Sequence, residues 1–156
     1  MFMSQNQRSI GKIAVTSLLV LLAPALVTAQ TTVLAGRTPF QRQVTLSAAA
    51  GSTGGFAAVT VPPNSRVVIE YVSVSGTVPT GQKLSTCIQT TVQQADAAYW
   101  LVTAVQETAD GVDRLVGNQT MKVHAEGPEF HVVFWRAKPD GPSQVTFNIA
   151  GYTEPI

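Results

Sequence analysis

Several features that often reveal a protein's chemistry are scarce in this sequence. Cys87 is the only cysteine, so no disulfide can form within the chain, and charged residues make up only 12% of the 156 residues. Small secreted domains often depend on disulfides, so this chain must be stabilised by its core. We expect Cys87 to be a small buried strand residue and not an activated nucleophile.

The sequence also lacks the motifs of the common hydrolases and of nucleotide-binding proteins. It contains no Gly-x-Ser-x-Gly, no His-Glu-x-x-His and no phosphate-binding glycine loop. It has no basic run either, so binding to nucleic acid through phosphate neutralisation is not expected. These absences predict a non-catalytic protein that needs no cofactor.

No apolar run is long enough for a transmembrane helix. The run Ile13–Val27 is shorter than the roughly 20 residues that span a bilayer. Arg8 and Lys12 precede it, and Val27–Ala29 places small residues at the positions that signal peptidase requires. We therefore expect residues 1–29 to be a cleaved signal peptide. This predicts a secreted or periplasmic protein with no membrane insertion after cleavage.

Beyond the leader, alternation of apolar and polar residues is the dominant pattern. It is clear in Phe40–Leu46, Ala57–Val61 and Val145–Ile149, and turn signals such as Pro62–Ser65 and Pro139–Pro142 separate the candidate strands. We predict an all-β domain over residues 39–156, following a flexible arm over residues 30–38. Eight to nine short strands indicate an antiparallel two-sheet β-sandwich that is jelly-roll-like.

Two of the candidate strands carry further expectations. Glu70 interrupts an apolar strand, which predicts a buried ion pair with Arg66 or Arg136. The stretch Lys83–Gln94 is rich in Thr and Val with little charge, which would suit an edge strand that pairs with another copy. A homo-oligomer is therefore one expected assembly.

The densest group of chemically capable side chains lies around Gly127-Pro128. If this dipeptide is a hairpin loop, two histidines and two glutamates share one strand face: His124, Glu126, Glu129 and His131. Such a group could ligate a divalent metal. The apolar residues between them predict that all four lie on the solvent side, so a solvated hairpin tip is the competing interpretation.

Aromatic residues form the second candidate site. Tyr99, Trp100 and Trp135 lie in strands that are apolar on both faces. They are either core residues, as tryptophans usually are, or an exposed platform for sugar rings. We take a secreted, non-catalytic binding module for a saccharide or cell-surface polymer, or a structural subunit, as the expected function. The alternative is a small metal-dependent β-barrel enzyme that uses the histidine–glutamate group.

Overall fold

The computed structural model describes residues Gly36–Ile156, and the predicted signal peptide and residues 30–35 of the predicted arm lie outside this range. No helix of the described residues is long and apolar enough to cross a membrane. The described chain forms eight strands. They are β1 (Thr38–Ala48), β2 (Gly54–Thr60), β3 (Ser65–Pro79), β4 (Leu84–Val92), β5 (Ala95–Leu101), β6 (Ala104–Ala109), β7 (Val112–Arg136) and β8 (Ser143–Pro155).

Every strand pairing is antiparallel, and the pairings join all eight strands into one hydrogen-bonded path. The main order is β1-β8-β3-β7-β4-β5, and β2 and β6 pair with β7 from the side. This confirms the all-β class, the antiparallel pairing and the predicted number of strands. The long strand β7 divides the path into two parts and connects them. Its first half pairs with β3 and β6, and its second half pairs with β2 and β4.

The prediction of a hairpin at Gly127-Pro128 was wrong. Strand β7 runs through this dipeptide as one strand of 25 residues. Gly127 has a φ of 85°, a backbone conformation that glycine adopts without the steric cost of a Cβ atom. The buried positions change there from odd numbers, such as Val123, to even numbers, such as Phe130. The dipeptide therefore interrupts the alternation of β7, so that even-numbered residues after it face the core where odd-numbered residues did before it.

Strands β5 and β6 are separated by Val102 and Thr103. One further strand prediction needs correction. The expected edge strand Lys83–Gln94 corresponds to β4, which has β7 on one side and β5 on the other. Both of its edges are thus occupied, and β5 takes the position at the end of the path.

Two hairpins have loops of only two residues. Gln93-Gln94 joins β4 to β5, and Asp110-Gly111 joins β6 to β7. All four loop residues have positive φ, as in the turns that match the twist of antiparallel strands. These loops hold β5 and β6 in fixed register with their partners.

The core is formed by alternating side chains from both parts of the path. Phe130, Phe134 and Phe147 are fully buried, and the Phe40 and Phe130 rings lie 6.3 Å apart. Side chains of β1, β2, β3, β4, β7 and β8 contribute to a single buried cluster. Complete burial of one such aromatic side chain contributes about 1.5–3 kcal/mol, so the cluster stabilises a chain whose single cysteine cannot form an internal disulfide.

The predicted buried ion pair of Glu70 was also wrong. A register shift between Ile69 and Tyr71 interrupts β3, and Glu70 lies exposed at this irregularity. The extra residue of such a bulge is left out of the regular alternation, so the carboxylate needs no buried partner. Arg136 is buried, but its hydrogen-bond partners are not carboxylates.

Candidate functional site

One sheet surface on the side opposite the core carries most of the exposed aromatic groups. Cross-strand register defines it in rows: Phe56, Val133, Cys87 and Trp100 form one row, and Ala58, His131, Gln89 and Ala98 form the next. Trp135 lies in the adjacent row on the other side of the first row, opposite Gly54 and Ser85. We call this surface, contributed by β2, β7, β4 and β5, the aromatic face.

Trp100 and Trp135 are neighbours on the aromatic face. Their ring centroids are 5.7 Å apart, and their planes are inclined at 41°. Trp100 is 58% exposed and Trp135 is 39% exposed, so neither belongs to the core. The two indoles therefore present a large apolar surface to solvent, but their inclination makes it a tilted pair and not a flat platform.

A groove of about 500 Å³ lies beside Trp135. Val133, Trp135, Phe56 and His131 line it together with Gln89 and the segment 52–55. Phe56 is 71% exposed, and its ring meets the His131 imidazole edge-on with centroids 6.0 Å apart. The groove is thus lined by both aromatic and hydrogen-bonding side chains, a combination typical of small-ligand sites.

A second depression continues the first along the strands. It has a volume of about 460 Å³ and is lined by Thr91, Asp96 and Ala98, among others, and it shares Gln89 and His131 with the first groove. The Thr91 hydroxyl donates a hydrogen bond of 2.6 Å to the Asp96 carboxylate. Together the two depressions extend over four residue rows, roughly 20 Å at the rise of a β-strand.

Arg136 fixes the wall of the first groove, since it holds the loop between β1 and β2. Its guanidinium donates hydrogen bonds to the carbonyl oxygens of Ala49 and Ser52, at 2.8 Å for Ala49, and to Gly141 on the next loop at 2.6 Å. Its backbone amide donates to the Thr53 carbonyl at 2.8 Å. One buried side chain thereby ties two loops together, whereas sequence analysis considered Arg136 only as a partner for Glu70.

Cys87 lies on the aromatic face, directly opposite Trp100 in one ladder and Val133 in the other. Although the face is exposed, this thiol is fully buried. Its cross-strand neighbours on this face are Trp100, which is largely exposed, and Val133, which is itself buried. Burial raises the pKa of the Cys87 thiol above its ordinary value, which keeps it protonated and unreactive at neutral pH.

The four residues considered for a metal site divide into two pairs along β7. His131 and Glu129 are in contact, with 3.3 Å between Nε2 and a carboxylate oxygen. His124 and Glu126 precede the Gly127 irregularity. Because β7 is continuous, His124 and His131 are separated by a distance on the order of 20 Å along the strand. Among residues 36–156, no group of three or more His, Cys, Asp or Glu side chains is placed to hold a metal ion.

The pair His124 and Glu126 has a cationic neighbour, Arg66. The Arg66 Nε lies 3.3 Å from a Glu126 carboxylate oxygen, and an Arg66 terminal nitrogen lies 3.4 Å from His124 Nδ1. Glu154 also approaches Arg66, at 3.9 Å. The Arg66 guanidinium therefore supplies the positive charge beside Glu126 and Glu154 that a metal ion would supply in a metal site. The cluster is organised as an ion-pair network.

Tyr99 is the member of the aromatic group that the structure separates from the others. It pairs with Ile88, a core-facing position, whereas its neighbour Trp100 pairs with Cys87 on the aromatic face. Tyr99 is 37% exposed on that other side of β5. Phe56, Gln89 and Arg136 are the site residues that sequence reasoning missed, because strand alternation identifies faces but does not identify which strands become neighbours.

Comparison with known proteins adds no relative to this description. No protein-family model matches the chain, and no curated protein matches it at a significant level. The geometry and chemistry of the aromatic face are therefore the basis on which we infer a function.

Proposed function

We propose that this protein is a non-catalytic extracellular binding module, and that the aromatic face binds a saccharide or a saccharide-containing cell-surface polymer. The observation that carries the proposal is the exposed Trp100–Trp135 pair, together with the groove beside Trp135 that hydrogen-bonding groups help to line. Sugar rings have apolar C–H surfaces that pack on aromatic rings and hydroxyl groups that need partners. A signal peptide over residues 1–29 would deliver the module outside the cytoplasm.

The inclination of the two indoles supports a particular form of ligand. Rings inclined at 41° cannot both lie on one flat surface. They can each stack on a different residue of a single twisted chain. The depressions beyond Trp135 continue in one direction along the strands, which suits an extended chain several sugar units long.

The charge of the groove supports a neutral ligand. The lining of the first depression includes no Lys, Arg, Asp or Glu, and His131 is its one titratable side chain. In the second depression Asp96 is the only acidic group. An anionic polymer would find no cation in this lining to compensate its charge, so we propose neutral saccharides as the ligand class.

We also propose that the path of eight strands folds as the two-sheet, jelly-roll-like sandwich expected from the sequence. The support is the common buried cluster, since side chains from the β1-β8-β3 part and from the β2-β4 part pack together. The passage of β7 from one group of partners to the other is the feature that would place the two layers face to face.

A catalytic role is not part of the proposal. The two histidine–glutamate pairs are separated along β7, and Arg66 neutralises one of them. Metal analysis of the purified protein tests this directly. A stoichiometric divalent metal that is lost on joint substitution His124→Ala and His131→Ala would replace the binding proposal with the metal-dependent enzyme.

The binding proposal is tested by titrating the purified protein with a panel of soluble neutral polysaccharides while recording tryptophan fluorescence and heat. We expect a saturable response to at least one of them. Trp135→Ala and Trp100→Ala should each weaken binding about tenfold or more, as expected for central aromatic groups of an interface. Both side chains are exposed, so the variants should remain folded.

Tyr99→Ala is the matched control, because Tyr99 adjoins Trp100 in sequence but faces the other side of β5. It should retain the parent affinity. A flat response across the panel, or equal losses in the Tyr99 and Trp100 variants, would remove the support for saccharide binding at the aromatic face.

A further inference from the structure

Strand β5 ends the hydrogen-bonded path and has one free edge. It pairs with β4 on one side, and no other described strand pairs with it on the other. Six consecutive residues, Ala95–Trp100, are exposed. A free edge presents a row of unpaired backbone amide and carbonyl groups, which form hydrogen bonds readily with another strand.

The other edges carry features that discourage strand addition, and β5 does not. Strand β1 contains Pro39 and Arg42, and β6 contains Glu107 and an interrupted register. Strand β2 begins with two glycines and lies near β1. In β5 the register is regular, proline is absent, and the one charge is Asp96, which accepts a hydrogen bond from Thr91 on β4.

We propose that two copies of this protein associate by antiparallel pairing of β5 with β5 of the second copy. Only one symmetric register uses all seven residues of the strand, namely the one centred on Ala98. It places Ala98 opposite the second copy's Ala98 and Asp96 opposite its Trp100. No like charges then face each other, and the small alanine side chains at the centre allow close approach. The sequence of β5 is in this sense complementary to itself, as a two-fold interface requires.

The pairing would also extend the aromatic face. Residues directly opposite each other in an antiparallel pair project from the same side of the sheet. Trp100 of one copy would therefore share a face with Trp100 of the other, at roughly 14 Å by strand dimensions. The two grooves would form a bivalent surface, in which two weak sites bind one polymer more strongly than either alone. The association itself does not depend on the saccharide proposal.

Sedimentation of the purified protein tests the association. We expect a reversible monomer–dimer equilibrium. Ala98→Lys and Ala98→Glu place like charges opposite each other at the centre, so each should raise the dimer dissociation constant about fivefold. An equal mixture of the two variants should recover the dimer, because opposite charges then face each other. A protein that stays monomeric at its highest soluble concentration would overturn the proposal.

Ala104→Lys is the matched control, since Ala104 is an exposed alanine on β6, outside the proposed interface. It should leave the equilibrium unchanged. A dimer that is insensitive to both Ala98 variants, or one that the Ala104 variant weakens equally, would place the interface elsewhere and reject pairing along β5.

Oxidative cross-linking tests the register. Directly opposed cross-strand residues have Cβ atoms about 5 Å apart, close to the separation that a disulfide spans. Ala98→Cys should therefore yield a covalent dimer under mild oxidation. Ala97→Cys should react more slowly, because Ala97 faces the second copy's Tyr99 in this register. Faster cross-linking at position 97, or none at position 98, would contradict the pairing centred on Ala98.

Discussion

Cys87 lies directly opposite Trp100 in the β4–β5 ladder, and it is fully buried although the face on which it lies is exposed to solvent. The Trp135 ring lies 5.7 Å from the Trp100 ring on the same face. The single thiol can therefore serve as a reporter for the aromatic face, because Trp100 is its directly opposite neighbour on that face.

Trp100→Ala should make Cys87 reactive. Removing the indole opens the thiol to solvent, which increases its access to reagents and lowers the pKa that burial raises. The rate of modification by a soluble aromatic disulfide, measured on the native protein, should rise at least about tenfold, since a buried thiol reacts only through local opening.

Tyr99→Ala is the control for this experiment, because it removes an aromatic ring from the opposite side of β5. Its thiol should remain as slow as in the parent. If Trp100→Ala left the rate unchanged while Cys87→Ser abolished the reaction, the indole would not be the cover of Cys87.

Arg136 should be the most sensitive polar residue of the domain. Arg136→Lys keeps the charge but cannot reach the carbonyl oxygens of Ala49, Ser52 and Gly141 at the same time. Part-buried hydrogen bonds to a charged donor are then lost, each of which contributes about 1.5–3 kcal/mol. We expect the free energy of unfolding, measured in urea, to fall by about 3 kcal/mol or more.

The exposed Arg114 supplies a control, since its ion pair with Glu107 lies on the surface at 3.4 Å. Arg114→Lys should change the free energy of unfolding by less than about 0.5 kcal/mol. Equal effects of the two substitutions would mean that the hydrogen bonds of Arg136 contribute no more than a surface charge.

The sequence predicted those parts of the fold that depend on local pattern. Alternation identified the all-β class and the core positions of β8, from Val145 to Ile149, and the turn signal Pro62–Ser65 marks the passage from β2 to β3. These features depend on the period of the strand and on turn chemistry, both of which act within a few residues. No knowledge of which strands become neighbours was required.

The errors all arose where a local signal has two readings. Gly127-Pro128 is a common turn dipeptide, but a positive φ at glycine can also let a strand continue with a change of face. Glu70 looked buried because the alternation around it is apolar, and a bulge placed it outside. The groove between Phe56 and Trp135 was not predictable, since β2 and β7 are distant in sequence and their pairing is a tertiary choice.

Asp113 should contribute a measurable pH dependence. Its carboxylate accepts hydrogen bonds from the Thr108 hydroxyl at 2.7 Å and the Gly81 amide at 2.8 Å, which lower the pKa of Asp113 from 3.8. A lowered folded-state pKa stabilises the fold above the unfolded value, and this stabilisation is lost as the pH falls through the folded-state pKa. Asp113→Asn should therefore lower the melting temperature at neutral pH.

The difference between Asp113→Asn and the parent should shrink as the pH falls below 3.8, because the parent then carries a neutral acid as well. Asp110→Asn, at an exposed loop position of the same hairpin, is the matched control. A melting-temperature difference that is constant with pH would mean that the effect comes from the changed hydrogen-bonding geometry of the side chain and not from the charge of Asp113.

Gly54 should be intolerant of any side chain, since a Cβ atom there would clash with the Phe134 carbonyl oxygen and lie 3.2 Å from Trp135. Gly54→Ala must push β2 away from β7, which is expected to cost about 1–3 kcal/mol and to alter the groove that Gly54 lines. Ala58→Ser adds one atom at an exposed position of the same strand and should be nearly neutral. Urea unfolding measures the cost, and tryptophan fluorescence reports the environment of Trp135. Parent-like stability and fluorescence in Gly54→Ala would show that β2 does not approach β7 this closely, and the wall of the groove would then have to be placed elsewhere.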